Sequence, residues 1–164
     1  MSAVIERPAA DEYAPYFATY VSRVPDGHIV TTLERQLGET LALVRAIPDS
    51  RGDHRYAPGK WSIREVLGHM IDTERVMAYR ALRMARGDQT PLPGFDQDPW
   101  VEAAHFETRS IASLASEFEH VRWSTLDLLR PLDDEALLRR GTASGATLTP
   151  HALAYVIAGH ERHH

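Results

Sequence analysis

The sequence predicts an all-α protein, folded as a four-helix bundle with one long loop and a short extra helix. Apolar residues recur three or four positions apart in four long segments, whereas the alternation typical of strands is almost absent. Four amphipathic helices bury their apolar faces most simply against one another. At 164 residues the chain is long enough for one continuous core, so we expect a single domain over residues 1–164.

The first two long helices have clear start and stop signals. The first is predicted over about residues 28–47, where apolar residues keep helical spacing until Pro48 ends the pattern. The second is predicted to begin after Ser62, because Ser62 and Glu65 have the spacing of a capping box. We expect this second helix to end at Gly87.

Residues 88–108 are predicted to form the long loop, because three prolines and a glycine interrupt any helical pattern there. The loop carries Phe95 and Trp100, and such side chains need apolar surface to pack on. It also emerges from the helix that carries His69. We therefore expect its aromatic residues to cover the open end of the bundle near that histidine.

Two more long helices are predicted in the C-terminal part of the chain. The third covers about residues 110–129, and a short extra helix and a loose connection follow at residues 133–140 and 141–145. The last long helix begins after Thr149, a good N-capping residue, and continues to His164. Because the sequence stops inside this helical pattern, we expect further residues after His164.

Composition excludes several classes of function. The formal net charge is -5, with 18 Lys and Arg residues against 23 Asp and Glu residues, so no basic stripe is available for nucleic acid. The chain has no cysteine, which excludes disulfides, thiolate ligands and a cysteine nucleophile. No apolar segment approaches the ~20 residues that span a bilayer, and no signal peptide is evident. We therefore expect a cytoplasmic protein without membrane contact.

Three histidines can form a metal site. His69 lies on the apolar face of the second helix, and His160 and His164 are four residues apart on the last one. Imidazole is a common ligand of zinc and nickel, and three protein ligands leave one coordination position open. The alternative is a set of core histidines with separate hydrogen-bond partners. Spacing alone also allows His163 in place of His164.

Other polar residues on the second helix have two interpretations each. Asp72, three residues after His69, is predicted to orient an imidazole or act as a catalytic base; alternatively, it pairs with Arg75 in solvent. Arg80 lies about three turns after His69 and is a candidate for binding an anionic substrate or cofactor. Its alternative role is an ion pair with a nearby carboxylate.

The remaining aromatic and histidine residues are interpreted as structural. Trp61 is expected to pack against the core before the second helix, and a stripe of tyrosines near the N-terminus is expected to do the same. Five histidines are expected at the surface, because they lie at helix starts, in loops or among charged residues: His28, His54, His105, His120 and His151.

Three sequence segments resemble the DinB/YfiT-like superfamily. They are PGKWSIREVLGHMID at residues 58–72, PGFDQD at residues 93–98 and GHERHH at residues 159–164. The resemblance implies a four-helix bundle of unusual connectivity, frequently a homodimer, with one divalent metal ion held by three histidines. Carried over to this sequence, those ligands are His69, His160 and His164. Zinc and nickel are the metals associated with the family.

The resemblance also suggests the chemistry. In some branches, members use a low-molecular-weight thiol, such as bacillithiol or mycothiol, to transfer or isomerise substrates. Our leading hypothesis is therefore a metal-dependent thiol transferase that acts on a small molecule. The alternatives are a metal-dependent hydrolase, with Asp72 as a possible base, and a non-catalytic metal-binding stress-response protein.

Overall fold

The computed structural model describes residues 6–164 and confirms the predicted helical bundle. The helices and strands, in chain order, are α1 (Ala18–Val21), α2 (Ile29–Arg45), α3 (Ile63–Ala85), α4 (Gln97–Ala104), α5 (Ile111–Leu129), α6 (Asp134–Leu138), β1 (Gly141–Ala143), β2 (Ala146–Leu148) and α7 (Pro150–His163). Short 3-10 turns lie at Ala10–Glu12, Pro15–Phe17, Asp49–Arg51 and Phe106–Thr108. The four long helices are α2, α3, α5 and α7.

Side-chain caps fix where the helices of the site begin. The Ser62 hydroxyl accepts a hydrogen bond from the Glu65 backbone nitrogen, and the Glu65 carboxylate accepts one from the Ser62 nitrogen. The predicted capping box is therefore present. At the start of α7, Thr149 accepts a hydrogen bond from the Ala152 nitrogen, and Pro150 occupies the first turn. Because these capping residues are local in sequence, the starts of α3 and α7 could be predicted from the sequence.

Helix α7 lies in the middle of the bundle. It packs against α3, α2 and α1, while α5 packs against α2 and α3. Every residue from Pro150 to Glu161 is buried, which is unusual for a helix with polar residues. Burial of its apolar side chains supplies the main driving force for this position. As a consequence, α7 also carries its polar residues into the interior.

Two glycines let other parts of the chain approach α3 and α7 closely. A Cβ atom on Gly68 would lie 2.3 Å from the Phe106 ring, and one on Gly159 would lie 2.0 Å from the Tyr20 carbonyl oxygen. No side chain fits at such distances. Each glycine directly precedes a histidine, and the close approach of Tyr20 at Gly159 also brings its ring to 5.4 Å from the His160 ring.

The prediction of a continuous loop over residues 88–108 is wrong, because α4 forms inside it. Asp96 caps this helix by accepting a hydrogen bond from the Asp98 nitrogen. Pro99 lies in the first turn of α4. A backbone N–H group in the first turn has no acceptor within the helix, so a proline there costs no hydrogen bond. The proline that favoured a loop in the sequence is therefore compatible with a helix start.

The prediction of a loose connection over residues 141–145 is also wrong. Strands β1 and β2 pair antiparallel there, with Gly141 opposite Leu148. Ser144 and Gly145 both have positive φ angles and form the turn. Serine is a weak signal for such a turn, which explains why the sequence pattern did not indicate the hairpin.

Within residues 6–164, no helix has both the length and the apolar character needed to cross a membrane.

Candidate metal centre

The three predicted histidines converge on one point between α3 and α7. The Nε2 atoms of His69 and His160 are 2.9 Å apart, and those of His160 and His164 are 3.2 Å apart. All three candidate ligand atoms lie within 4.8 Å of one another. For comparison, nitrogen ligands at a tetrahedral zinc ion are about 3.3 Å apart. The cluster therefore has nearly the dimensions of a three-histidine metal site.

His163 is not part of this cluster. Its ring packs at 5.6 Å from the Tyr20 ring, on the outside of the bundle. The helical turn carries His164, rather than His163, back over His160. In this geometry His164, and not His163, lies with His69 and His160.

Burial keeps the three imidazoles neutral. It is the main cause that lowers the pKa of His69 to about 4, of His160 to about 2 and of His164 to about 4. The neighbouring histidines lower these pKa values further by electrostatic repulsion between the protonated forms. Neutral imidazoles have the free lone pair that a metal ion requires.

Hydrogen bonding among the histidines does not account for their arrangement. The Nε2 atom of His160 contacts the Nε2 atoms of both His69 and His164. A neutral ring nitrogen has either one proton or one lone pair, so it cannot form two such hydrogen bonds at once. A cation that accepts a lone pair from each ring satisfies all three nitrogens, so this donor set fits a divalent metal ion.

Aromatic and hydroxyl side chains hold the imidazole rings in place. The Trp61 ring lies 4.7 Å from the His69 ring, and the Tyr20 ring lies 5.4 Å from the His160 ring. The Thr73 hydroxyl is 3.5 Å from Nδ1 of His69, on the side away from His160. Such contacts fix the ring orientation, which sets where the lone pairs point.

A buried ionic network anchors α7 between its two site histidines. Arg122 donates hydrogen bonds to both carboxylate oxygens of Glu74 and to Glu161, at 2.8–3.0 Å. Glu161 also accepts a hydrogen bond from Gln36 at 2.8 Å. Burial alone would lower the pKa of the Arg122 guanidinium, but the charges and hydrogen bonds of Glu74 and Glu161 outweigh this effect and raise the pKa above its ordinary value. The network thus ties α2, α3, α5 and α7 together directly behind His160.

Two of the three histidines, His69 and His160, line a cavity of about 490 Å³, whereas His164 lines neighbouring grooves. His69, His160 and Thr73 line one region of the cavity, and Phe17, Met77 and Val156 contribute apolar surface. Exposed residues at the rim, including Tyr16, show that the cavity opens to solvent. Its volume is in the range of small-molecule binding sites.

Comparison with known proteins assigns this arrangement to a family. Residues 32–164 match the family model described as the DinB superfamily. The chain belongs to the DinB superfamily. It is 28% identical over 131 residues to YfiT of Bacillus subtilis strain 168, covering 78% of this chain and 71% of that protein. YfiT is named as a candidate metal-dependent hydrolase.

A second relative and a solved structure agree with this assignment. A protein of Oceanobacillus iheyensis, also named as a candidate metal-dependent hydrolase, is 35% identical over 72 residues. That match covers 43% of this chain and only 39% of the relative. The solved structure of Bacillus subtilis YfiT, described as an unusual four-helix bundle, superimposes with a TM-score of 0.70 at 20% identity. It covers 82% of this chain and 78% of YfiT, and it confirms the fold.

In this DinB-superfamily chain, Arg80 lines the histidine cavity but Asp72 does not. Asp72 lines a separate groove beside Trp100, and its carboxylate is 3.8 Å from Arg75. Burial raises the pKa of Asp72, and repulsion from Glu117 adds to this increase. The structure therefore does not bring Asp72 to the metal ligands.

The segment after α3 borders the cavity, as the sequence led us to expect. Phe95 lines the cavity, and Trp100 packs against Phe95 with ring centroids 4.8 Å apart. Trp100 itself lines only the outer groove that also contains Asp72. Phe95 is thus placed to restrict the cavity, whereas Trp100 supports it from outside.

The prediction that His151 lies at the surface is wrong, whereas His28, His54, His105 and His120 are exposed as predicted. His151 is 2% exposed and contacts Glu12 through Nδ1 at 2.9 Å. Its place at the start of α7 suggested a surface position, but the N-terminal segment that carries Glu12 folds over this helix start and buries it.

Sequence reasoning also missed residues of the site. Tyr20 was expected only to pack, yet it lines the cavity and contacts His160. The network of Arg122, Glu74 and Glu161 was not predicted. The sequence signal for this network is that its three charged residues lie on the apolar faces of predicted helices. Charged side chains are rarely buried without partners, so such positions indicate an ion pair.

Proposed function

We propose that His69, His160 and His164 hold a divalent metal ion, zinc or nickel, and that the protein hydrolyses a small molecule bound in the adjoining cavity. The observation that carries this proposal is the convergence of three imidazole nitrogens beside a cavity that His69 and His160 line. Three protein ligands leave a position open for chemistry. When bound, the ion supplies Lewis-acid activation of the nucleophile and of the bond to be cleaved.

The chain's own residues prepare the site for this reaction. Burial keeps the histidines unprotonated, so protons do not compete with the metal near neutral pH. Burial is also the main cause that raises the pKa of Tyr20, so its hydroxyl remains protonated and is available as a hydrogen-bond donor. Tyr20 lines the cavity, and we assign its hydroxyl, which lies 3.3 Å from that of Tyr16, the role of donating a hydrogen bond to negative charge that develops on the substrate. The candidate hydrolase names of the relatives support water as the nucleophile.

Transfer to a low-molecular-weight thiol is the second candidate function. The cavity opens between exposed residues such as Tyr16 and Gln97, which leaves room for a larger cofactor to extend into solvent. A thiol sulfur is also a suitable ligand for zinc or nickel at an open position. We assign Asp72 no part in either reaction, because it lines a different groove from the one that contains His69 and His160.

We further propose that the protein forms a homodimer. Tyr79, Leu82 and Trp123 are large apolar side chains that remain exposed on α3 and α5. Symmetric dimers are the commonest soluble oligomers, and a second copy would cover such side chains. Light scattering at several protein concentrations measures the mass directly, and a constant monomer mass would contradict this proposal.

Metal analysis of the purified protein is the first test. We expect about one divalent ion per chain, and its loss in His69→Ala, because that variant removes one of three ligands. His120→Ala is the matched control, since His120 is exposed on α5. Retention of full metal content by His69→Ala, with unchanged helical content, would contradict the ligand assignment.

Activity of the metal-loaded protein then separates the candidate functions. Ester and amide substrates are incubated with the protein alone, and electrophiles are incubated with and without bacillithiol. Product without thiol supports hydrolysis, whereas product that requires thiol supports transfer. Stoichiometric metal with no turnover in any assay would indicate a non-catalytic metal-binding protein.

A further inference from the structure

We propose that Arg80 binds a carboxylate or phosphate group of the substrate, so that the protein acts on small anionic molecules. This inference rests on the proposed function, because it identifies the substrate class of the same cavity. Arg80 lies on α3, as does His69, and both side chains line the cavity. The structure thus places a cation and two of the three proposed metal ligands, His69 and His160, in the wall of one small-molecule site.

Arg80 is a buried cation without a counterion. It is 3% exposed, and within residues 6–164 no carboxylate forms an ion pair with it. The contrast with Arg122 is direct, because that arginine is also buried but contacts two carboxylates. An unpaired charge away from water destabilises the folded state. A ligand that brings a negative charge would supply the missing partner.

The guanidinium group is held in place with donors to spare. Its Nη2 atom donates hydrogen bonds to the Pro93 carbonyl at 3.0 Å and to the Ser144 hydroxyl at 3.1 Å. In the part of the chain that the structure describes, its Nη1 atom has one hydrogen-bonding contact, to the Met77 sulfur at 3.8 Å. A thioether is a weak acceptor, so Nη1 keeps its capacity to bind an oxyanion. The two hydrogen bonds of Nη2 therefore orient the guanidinium group, while the N–H groups of Nη1 remain able to bind a ligand.

The spacing along α3 indicates the shape of the substrate. His69 and Arg80 are about three turns apart, or about 16 Å along the helix axis. Long side chains on a helix lean toward its N-terminus, which brings the guanidinium back toward His69. Between them the cavity wall is apolar, with Met77, Phe17 and Val156. We infer a substrate with its reactive bond at the metal, an apolar middle and an anionic far end.

The one carboxylate among the lining residues does not oppose this assignment. Asp96 lies at the rim, where it is exposed to solvent. One of its oxygens accepts a hydrogen bond from the Asp98 nitrogen, as the cap of α4. Solvent screens its charge, whereas the buried guanidinium is screened much less.

A set of paired hydroxamates tests the inference on the zinc-loaded protein. The hydroxamate binds the metal, and a methylene chain of variable length ends in a carboxylate, a phosphonate or an uncharged methyl group. Calorimetry measures each dissociation constant. At the best chain length, we expect the anionic end to strengthen binding to the wild type by about 10- to 100-fold. The carboxylate and phosphonate series distinguish the two kinds of anion.

Variants then assign the gain to Arg80. It should be lost in Arg80→Gln and reduced in Arg80→Lys, which keeps the charge but not the fork of donors. Arg83→Gln is the matched control, because it removes a cation from the same helix that pairs with Asp88. An equal gain in Arg80→Gln, or no gain for either anion at any chain length in the wild type, would overturn the inference. The absence of a gain in the wild type would be decisive even if the Arg80 variants did not fold.

A metal-free measurement separates this inference from the proposed function. Phenylbutanoate and its neutral amide are titrated into the apoprotein and followed by NMR at the arginine side-chain signal that Arg80→Gln removes. A shift with the acid but not the amide supports the anion site even if zinc fails to bind. Normal zinc binding with no preference for the acid would retain the metal site and reject the role of Arg80.

Discussion

Replacing Arg122 by methionine should destabilise the protein severely, because it leaves two carboxylates buried without their cation. The side chains of Glu74 and Glu161 are 3% and 6% exposed, and both contact the guanidinium of Arg122. Breaking a buried ion pair from one side costs about 3–5 kcal/mol. Because about 1 kcal/mol corresponds to 2–4 °C in a chain of this size, we expect Tm to fall by about 6–20 °C.

Urea unfolding followed by circular dichroism measures this loss. The protein is first treated with a chelator, so that bound metal does not contribute to the free energy of unfolding. Arg75→Met is the control, because Arg75 also pairs with a carboxylate, Glu117, but is half exposed. An exposed pair contributes about 0–1 kcal/mol. The same loss in both variants would refute the reasoning.

A rescue variant tests the cause. Arg122→Met combined with Glu74→Gln and Glu161→Gln removes the uncompensated charges and should recover part of the lost stability. Glu161 lies between the two site histidines of α7, so Arg122→Met should also weaken metal binding. No recovery in the triple variant would mean that lost packing, rather than buried charge, causes the destabilisation.

Three further predictions concern the site. His164→Ala should lose stoichiometric metal, whereas His163→Ala should bind it nearly normally, because only the first of these histidines joins the cluster. The apoprotein should lose stability as the pH falls from about 6.5 to about 4. The unfolded chain binds a proton on His69 near its ordinary pKa, while burial lowers the pKa in the folded state to about 4. Phe95→Ala should preserve metal content but change small-ligand affinity more than Trp100→Ala, because only Phe95 lines the cavity.

Each of these has its own decisive comparison. Metal loss in His163→Ala but not in His164→Ala would move the ligand assignment by one residue. The pH profile is read against His69→Ala, whose loss of stability below about pH 6.5 should be shallower. Equal slopes would show that other groups cause the acid destabilisation. Equal ligand affinities in the two aromatic variants, measured by calorimetry, would reject a restricting role for Phe95.

The sequence by itself determined the helical elements and the candidate ligands. Apolar spacing and the capping box of Ser62 and Glu65 are local signals, so they predicted the long helices closely. The distance of four residues between His160 and His164 is likewise local, because one helical turn brings both rings to the same side. His69 was a candidate because a histidine on the apolar face of another predicted helix should point into the bundle. Resemblance to the DinB/YfiT-like superfamily pointed to the same three residues.

Tertiary structure alone decided how these parts are used. No local rule shows that α7 lies in the middle of the bundle, and this position buries His151 as well as His160. Arg80 and Asp72 share a helix, yet packing turns one into the cavity and the other into a different groove. Arg122 meets its carboxylates across sequence separations that no spacing pattern records. Periodicity reports which face of a helix is buried, but the neighbour that each buried face meets depends on how all four helices pack together.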